Sequence, residues 1–238
     1  VLYGLFLAKQ AITKADCCYL VEGYTDVISM HQAGIENVVA SSGTALTHGQ
    51  IRLIHRFTTN VTVIYDGDAA GIKAALRGID LLLEDGMNVK VVLLPQGEDP
   101  DSFARKQNAQ SLTNYIKEHE VDFIRFKTEL LLDEAGNDPI KRAALISDIV
   151  NSIAIIPDNI IRTVYIRDCS TLLEIDERVL VGEVNKNRLG YLEKQGTQKH
   201  QEDSSVLAPS STINQVTPIT AQKATKSELD EYELSILY

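Results

Sequence analysis

No apolar run in this sequence approaches the roughly 18 residues that a membrane-spanning helix needs. The opening stretch, VLYGLFLAKQ, has neither an initiator methionine nor the basic flank of a secretory signal. Cysteine is scarce, with three in 238 residues: Cys17 and Cys18 side by side in a strand-like run, Cys169 in a helix-like one. That is neither a disulfide framework nor metal-ligand spacing, so buried free thiols in a reducing compartment, the cytoplasm, are expected. A basic excess is missing as well. Lys and Arg number 23 against 33 Asp and Glu, a formal net charge of −10. This counts against a surface built to grip nucleic acid, unless the acids gather at a cation site or basic parts of a longer protein lie elsewhere. Both ends read as cut, ELSILY being apolar with nothing behind it, so a piece of a longer protein is expected. No internal repeat is present.

What is there begins with alternation. CCYLVEG, NVVASSG, VTVIYDGD and VKVVLLPQGEDPD are short apolar, β-branched runs. Between them lie stretches with helical recurrence of apolar residues: TDVISMHQAG, stopping at Gly34; TALTHGQIRLIHRF; and AAGIKAALRGIDLLLEDG, stopping at Gly86. Strand–helix alternation implies parallel strands joined by right-handed crossovers, an open α/β sheet flanked by helices. This unit occupies 1–108. Over 109–192 the strand signal disappears. SLTNYIKEHEVDFIRFKTELLLDEAG reads as one long helix, a second ends at Pro157, a third starts with Asp158 as its cap, and a fourth follows. These would pack as a small helical subdomain. From 193 to 225 the composition turns to Gln, Ser, Thr and Pro, which reads as a disordered linker, and a truncated amphipathic helix resumes over 226–238.

The acids concentrate at one edge. Glu22 ends the first strand, with Asp26 just inside the next helix; Asp66 and Asp68 end the third; Glu98, Asp99 and Asp101 follow the fourth. In an open parallel sheet these positions share the carboxyl edge, where such folds bind ligands. Side chains alternate along extended chain, so Asp66 and Asp68 point the same way, and Gly67 permits a sharp turn between them. A lone D-G-D is ordinarily a polar turn. Carboxylates from three strand ends, however, must either take up protons or be neutralised by cations. Oxygen donors without a His or Cys cluster select Mg²⁺ or Mn²⁺ over Zn²⁺, and such an ion suits phosphoryl or nucleotidyl transfer. Beside this edge, SSGTALT over 41–47 is either a phosphate-contacting loop, with Gly43 and Thr44 at its centre, or an ordinary helix cap. Lys73 and Arg77, four apart on the helix leaving Asp68, share a face near it. His31, His48 and His55 show no evident partners and read as surface or packing residues.

The words VEGYTDVISMHQAGIENVVASSGTALT, VIYDGDAAGIKAA and LLPQGEDPDSFARK, in this order and spacing, resemble the Toprim core of a bacterial DnaG-type primase. A Glu after the first strand and a D-x-D after the third are common to all Toprim proteins. The flanking E-G-Y-x-D, S-x-G-T-A-L-T, Y-D-G-D-x-A-G-x-K-A and G-x-D-P-D narrow the likeness to primases. It is strong over 1–106 and carries with weaker motifs to about 192.

The resemblance implies a DNA-dependent RNA polymerase that joins ribonucleoside triphosphates into short primers on single-stranded DNA during replication. Glu22 would be the general acid/base or a metal ligand, Asp66 and Asp68 the central ligands of Mg²⁺ or Mn²⁺, Asp99 and Asp101 further ligands, and Asp26 part of the same cluster. Gly43, Thr44, Lys73 and Arg77 would contact nucleotide. Zinc is expected only in an N-terminal domain outside this chain, as is a basic subdomain, which accounts for the acidic balance. The replicative helicase would be met through a C-terminal domain of which 226–238 is the start; no membrane contact and a monomeric fragment are expected. Two rivals stand beside this: another Toprim enzyme, a topoisomerase or nuclease, with Tyr24 and Tyr65 the tyrosines nearest the edge; and a module that binds nucleotide or a partner without catalysis.

Overall fold

The structure is a computed structural model that describes residues 2–43, 45–67 and 78–206, with side chains through 195. Four strands fall where the apolar runs place them: β1 (Cys18–Val21), β2 (Val38–Ala40), β3 (Asn60–Tyr65) and β4 (Asn88–Leu93). All four are parallel, in the order β2-β1-β3-β4, with Leu20 opposite both Val39 and Val63 and Val63 opposite Val91. They alternate in chain order with α1 (Leu5–Ala15), α2 (Tyr24–Gln32), α3 (His48–His55) and a helix α4 whose described part is 78–84. Gly34 and Gly86 close α2 and α4 in left-handed conformations, φ 93° and 76°, that any side chain would strain.

The strands read as nearly unbroken apolar runs because both faces of the sheet are covered. Toward one face, Leu20, Val39, Val63 and Val91 meet Ile12 of α1, Ile51 and Ile54 of α3, and Ile79, Leu82 and Leu83 of α4. Toward the other, Val21, Ile64 and Val92 meet Val27 and Met30 of α2, Phe103 of α5 (Pro100–Lys106) and Leu112 and Ile116 of α6 (Ala109–His119). The period-two alternation of the strands thus divides the apolar side chains between two helical layers.

The single long helix expected after Ala109 is two helices. α6 ends at His119, and the chain then forms a two-residue strand, β5 (Val121–Asp122), antiparallel to β4 with Val121 opposite Val91. The strand signal therefore does not end at 109. Asp122 restarts the helix: its carboxylate accepts the Arg125 N–H at 3.2 Å as the cap of α7 (Phe123–Ala135) and also takes the Tyr165 hydroxyl at 2.6 Å. Two residues of strand leave no trace in a helical period. At the opposite edge, Tyr3 exchanges backbone hydrogen bonds of 2.9 and 3.1 Å with Ala40 of β2.

The helical subdomain continues with α8 (Pro139–Ile155), α9 (Asn159–Leu173) and α10 (Glu177–Val206). Asp158 caps α9 as expected, accepting from the Ile160 and Ile161 amides at 2.7 and 2.9 Å. Phe123, Leu145, Ile149, Ile153, Cys169 and Leu180 join the apolar cluster that covers the α4 face of the sheet. α10 runs on through Val206, past the composition change at 193; the rest of the expected linker and the 226–238 helix lie outside the described residues. Cys18 and Cys169 are buried and Cys17 half-buried, all as free thiols. No described helix is long and apolar enough to cross a membrane.

Two guanidinium groups close the end of α8. Arg188 of α10 donates to the Ala154 and Ile155 carbonyls, both at 3.0 Å, and Arg162 of α9 to those of Ile156 and Pro157 at 2.6 and 2.8 Å. The last carbonyls of a helix have no partner within it, and cations there also answer the helix dipole. Arg188→Ala orphans two carbonyls and is expected to cost about 1–3 kcal/mol at the net value of a hydrogen bond. A lower urea midpoint at unchanged helical circular dichroism would register it.

Candidate active site at the carboxyl edge

Because the four parallel strands share one direction, Glu22, Asp66 and the 98–101 stretch leave the sheet at the same edge. Glu22 directly follows β1, exposed, and its carbonyl accepts the Ser42 N–H at 3.1 Å. Asp26 sits in the first turn of α2, accepts the N–H of the N-cap Gly23 at 2.9 Å and is only 9% exposed. Burial pushes the Asp26 carboxyl above the usual carboxylate range. The Gly23 amide opposes this, while the charges of Asp66, Asp99 and Asp101 push it further up. Acids from the exits of β3 and β4 are therefore close enough to act on one from the helix after β1. The Tyr65 phenol is also raised, by burial first and then by the charge of Glu22.

The acids after β4 carry structural duties. Asp99 caps α5, accepting the Ser102 amide at 2.6 Å while its own N–H reaches Ser102 Oγ at 3.1 Å. Asp101 accepts the Ser29 hydroxyl of α2 and pairs with Arg105 Nε at 2.8 Å. Glu98 pairs with Lys106 at 2.5 Å and accepts Ser102 Oγ at 2.7 Å, and its pKa is lowered chiefly by the Lys106 hydrogen bond. Arg105, four residues after Asp101, had a signal in its helical spacing; Ser29 had none, because it meets Asp101 across 72 residues through the packing of α2 on α5.

The backbone bends at Gly67, and crowding adds a second reason for glycine there. Its N–H donates to the Glu98 carbonyl at 3.0 Å, and a Cβ there would lie 2.1 Å from the Pro95 carbonyl oxygen and 2.8 Å from that of Leu94. The β3 exit and the β4 exit are in backbone contact, and glycine is what lets them close.

In the 41–47 loop, Ser42 and Gly43 both adopt left-handed backbone, φ 58° and 74°, and space for a Cβ at Gly43 is open. Thr47 is an ordinary cap of α3, accepting the Gln50 amide at 3.3 Å. His48 is not partnerless: its Nδ1 lies 3.3 Å from Asp85. Tyr65 is buried, whereas Tyr24 stays exposed, its ring edge-on to Tyr3 with centroids 6.0 Å apart. Asp68, Thr44, Lys73 and Arg77 lie outside the described residues. Among the described residues, no three His, Cys, Asp or Glu side chains converge into a metal-holding group. The donor chemistry of the edge, carboxylate without imidazole or thiolate, fits a hard divalent cation.

A mostly parallel sheet with these acids at its carboxyl edge defines a Toprim-like domain, and the Toprim-like family description matches residues 19–104. A second description, the DnaB-helicase binding domain of primase, matches 124–178, within the helical subdomain rather than at the expected 226–238. The chain is 32% identical over 188 residues to a DNA primase of Staphylococcus aureus, covering 79% of this chain and 31% of that one. Among solved structures, a DNA primase domain from Pseudomonas aeruginosa superposes with a TM-score of 0.68 at 31% identity, over 77% of this chain and 59% of that one. A DnaG primase catalytic domain bound to ssDNA gives 0.63 at 32% identity, over 71% and 56%. The chain belongs to the bacterial DnaG-type primase family. It spans about a third of the length of the curated relatives it matches.

Two outcomes follow from this geometry. Gly67→Ala forces backbone apart and is expected to cost at least about 2 kcal/mol, read as a fall in urea midpoint. Asp26 has a folded pKa above its unfolded one, so its contribution is present below the ordinary carboxylate range and lost as pH rises through the raised value. Asp26→Asn, which keeps an acceptor for Gly23, is therefore expected to melt above the parent at pH 7 without divalent ion. The two melting curves should converge below pH 4.

Proposed function

We propose that this chain is the acidic, metal-handling part of a primase catalytic core, joining ribonucleoside triphosphates into RNA primers on single-stranded DNA. One observation carries the reading: Glu22, Asp66 and the 98–101 stretch leave parallel strands at one edge of a Toprim-like domain, a gathering of negative charge that a divalent cation relieves. Asp66 and Asp68 are the central ligands, Glu22 a ligand or the group that takes the proton from the attacking hydroxyl, and Asp99 and Asp101 complete the set. Bound Mg²⁺ or Mn²⁺ would supply Lewis-acid stabilisation to the pentavalent phosphorus and the departing pyrophosphate. The open Gly43, with Thr44, admits phosphate oxygens to the loop beside Glu22; Lys73 and Arg77 offset triphosphate charge.

The template partner is supported by the likeness to a primase domain bound to ssDNA, and the replicative helicase by the 124–178 match. Zinc belongs to another domain, as in the Aquifex aeolicus primase structure that comprises zinc-binding and RNA polymerase domains. The setting is the cytoplasm, at the replication fork, with this fragment a monomer.

The test is Asp66→Asn in the full-length protein. Calorimetric Mn²⁺ binding is expected to fall at least tenfold and primer synthesis at least about a hundredfold, with single-stranded DNA binding unchanged. Wild-type Mn²⁺ binding and primer synthesis in the variant would remove the edge from the mechanism.

A further inference from the structure

Beside the acidic edge an aromatic ring is left facing solvent. Tyr24 is the first residue of α2, two positions after Glu22, and is 57% exposed. Its ring meets that of Tyr3 edge-on, with centroids 6.0 Å apart. Tyr3 is itself held by two backbone hydrogen bonds to Ala40, the last residue of β2. The Glu22 carbonyl accepts the N–H of Ser42, in the loop that leaves β2. The two rings therefore stand at the exits of β1 and β2, on the border side of the acidic edge.

Among the described residues, the exposed phenyl and phenol rings are Tyr3, Phe6 and Tyr24. Phe6 lies on α1 with the Lys9 ammonium 4.5 Å over its face, so its own neighbour occupies it. Tyr65, at the exit of β3, is buried. Tyr24 is thus the open ring that adjoins a strand-end carboxylate.

What this ring can hold follows from the charge around it. Glu22, Asp26 and Asp66 repel anions, so phosphate approaches this edge only through cations. A nucleobase is the uncharged part of a nucleotide, and its face stacks on an aromatic side chain. Where cations hold the phosphates at the carboxylates, the base, joined to them through the sugar, needs a neutral flat surface close by. Tyr24 offers one with little entropy to lose, since tyrosine has two side-chain torsions and Tyr3 buttresses this one. Stacking reads no base edge, so one ring serves all four bases, as template-directed synthesis requires.

We propose that Tyr24, buttressed by Tyr3, is the stacking surface for the base of the ribonucleoside triphosphate bound at this edge. As a nucleotide subsite, this rests on the reading of the edge as a metal and phosphate site. A further domain of the full-length protein packed over the ring is the rival occupant.

The experiment compares the full-length protein with Tyr24→Leu and Tyr24→Phe, which remove and keep the ring. Each is titrated with adenosine triphosphate, cytidine triphosphate and inorganic tripolyphosphate in the presence of Mn²⁺, and its urea stability is measured. Tyr24→Leu is expected to weaken adenosine triphosphate binding by about 5- to 150-fold, the range for one stacked base. Cytidine triphosphate, with the smaller ring, should lose less, and tripolyphosphate, with no base, nothing. Tyr24→Phe should bind all three as the parent does. Equal losses for adenosine triphosphate and tripolyphosphate would mean that the ring supports the edge and not the base. Unchanged adenosine triphosphate binding in Tyr24→Leu would mean that something else covers the ring. Either result, with tripolyphosphate still bound by the parent, overturns the stacking subsite alone. A parent that binds no tripolyphosphate with Mn²⁺ would remove the phosphate site itself, and the subsite with it.

Discussion

Four parallel strands buried on both faces leave charge only the two edges of the sheet, and their shared direction puts every strand exit at the same one. Neither face admits an ionised side chain at low cost, and the parallel direction sends β1, β3 and β4 out side by side. The backbone contact of Gly67 with the Pro95 and Leu94 carbonyls draws two of those exits together. Once the sheet has formed, Glu22, Asp66 and the acids after β4 cannot be dispersed.

Part of the resulting repulsion is met within the chain. Asp99 caps α5 and Asp26 accepts the Gly23 amide at the start of α2, so the amides that start both helices face the edge and lend it positive partial charge. Asp101 and Glu98 have cationic partners in Arg105 and Lys106. A carboxylate that caps a helix in the free protein can still be part of a cation's surroundings. The two readings of these acids, structural and catalytic, are compatible, and the caps hold them in place before any ion arrives.

Elements whose causes are local could be read from the chain: β-branched strands, the stops at Gly34 and Gly86, the cap at Asp158. The acidic edge could be read as well, since parallel order follows from alternation. The split of the long helix could not, because β5 exists only by pairing with β4 and has no period of its own. Nor could the extension of α10 past 193, where polar composition suggested a linker. Ser29 on Asp101 and a hydrogen-bond chain through Lys127, Ser152 and Asp80 join residues whose meeting depends on how finished helices pack. For Gly67 the residue was legible but not the crowding: the close approach of a neighbouring strand exit also excludes a side chain there.

The two borders of the sheet are closed by pieces that lie outside the Toprim-like span of 19–104. Tyr3 lies along β2 through a single bridge, and β5 covers β4 with two residues. Unpaired strand borders offer rows of amides and carbonyls to any passing strand. A chain trimmed to the Toprim-like span would keep its acids but bare both borders, and its sheets would be free to add to one another edge to edge. The helical subdomain and the N-terminal segment are in this sense what keeps the sheet finite.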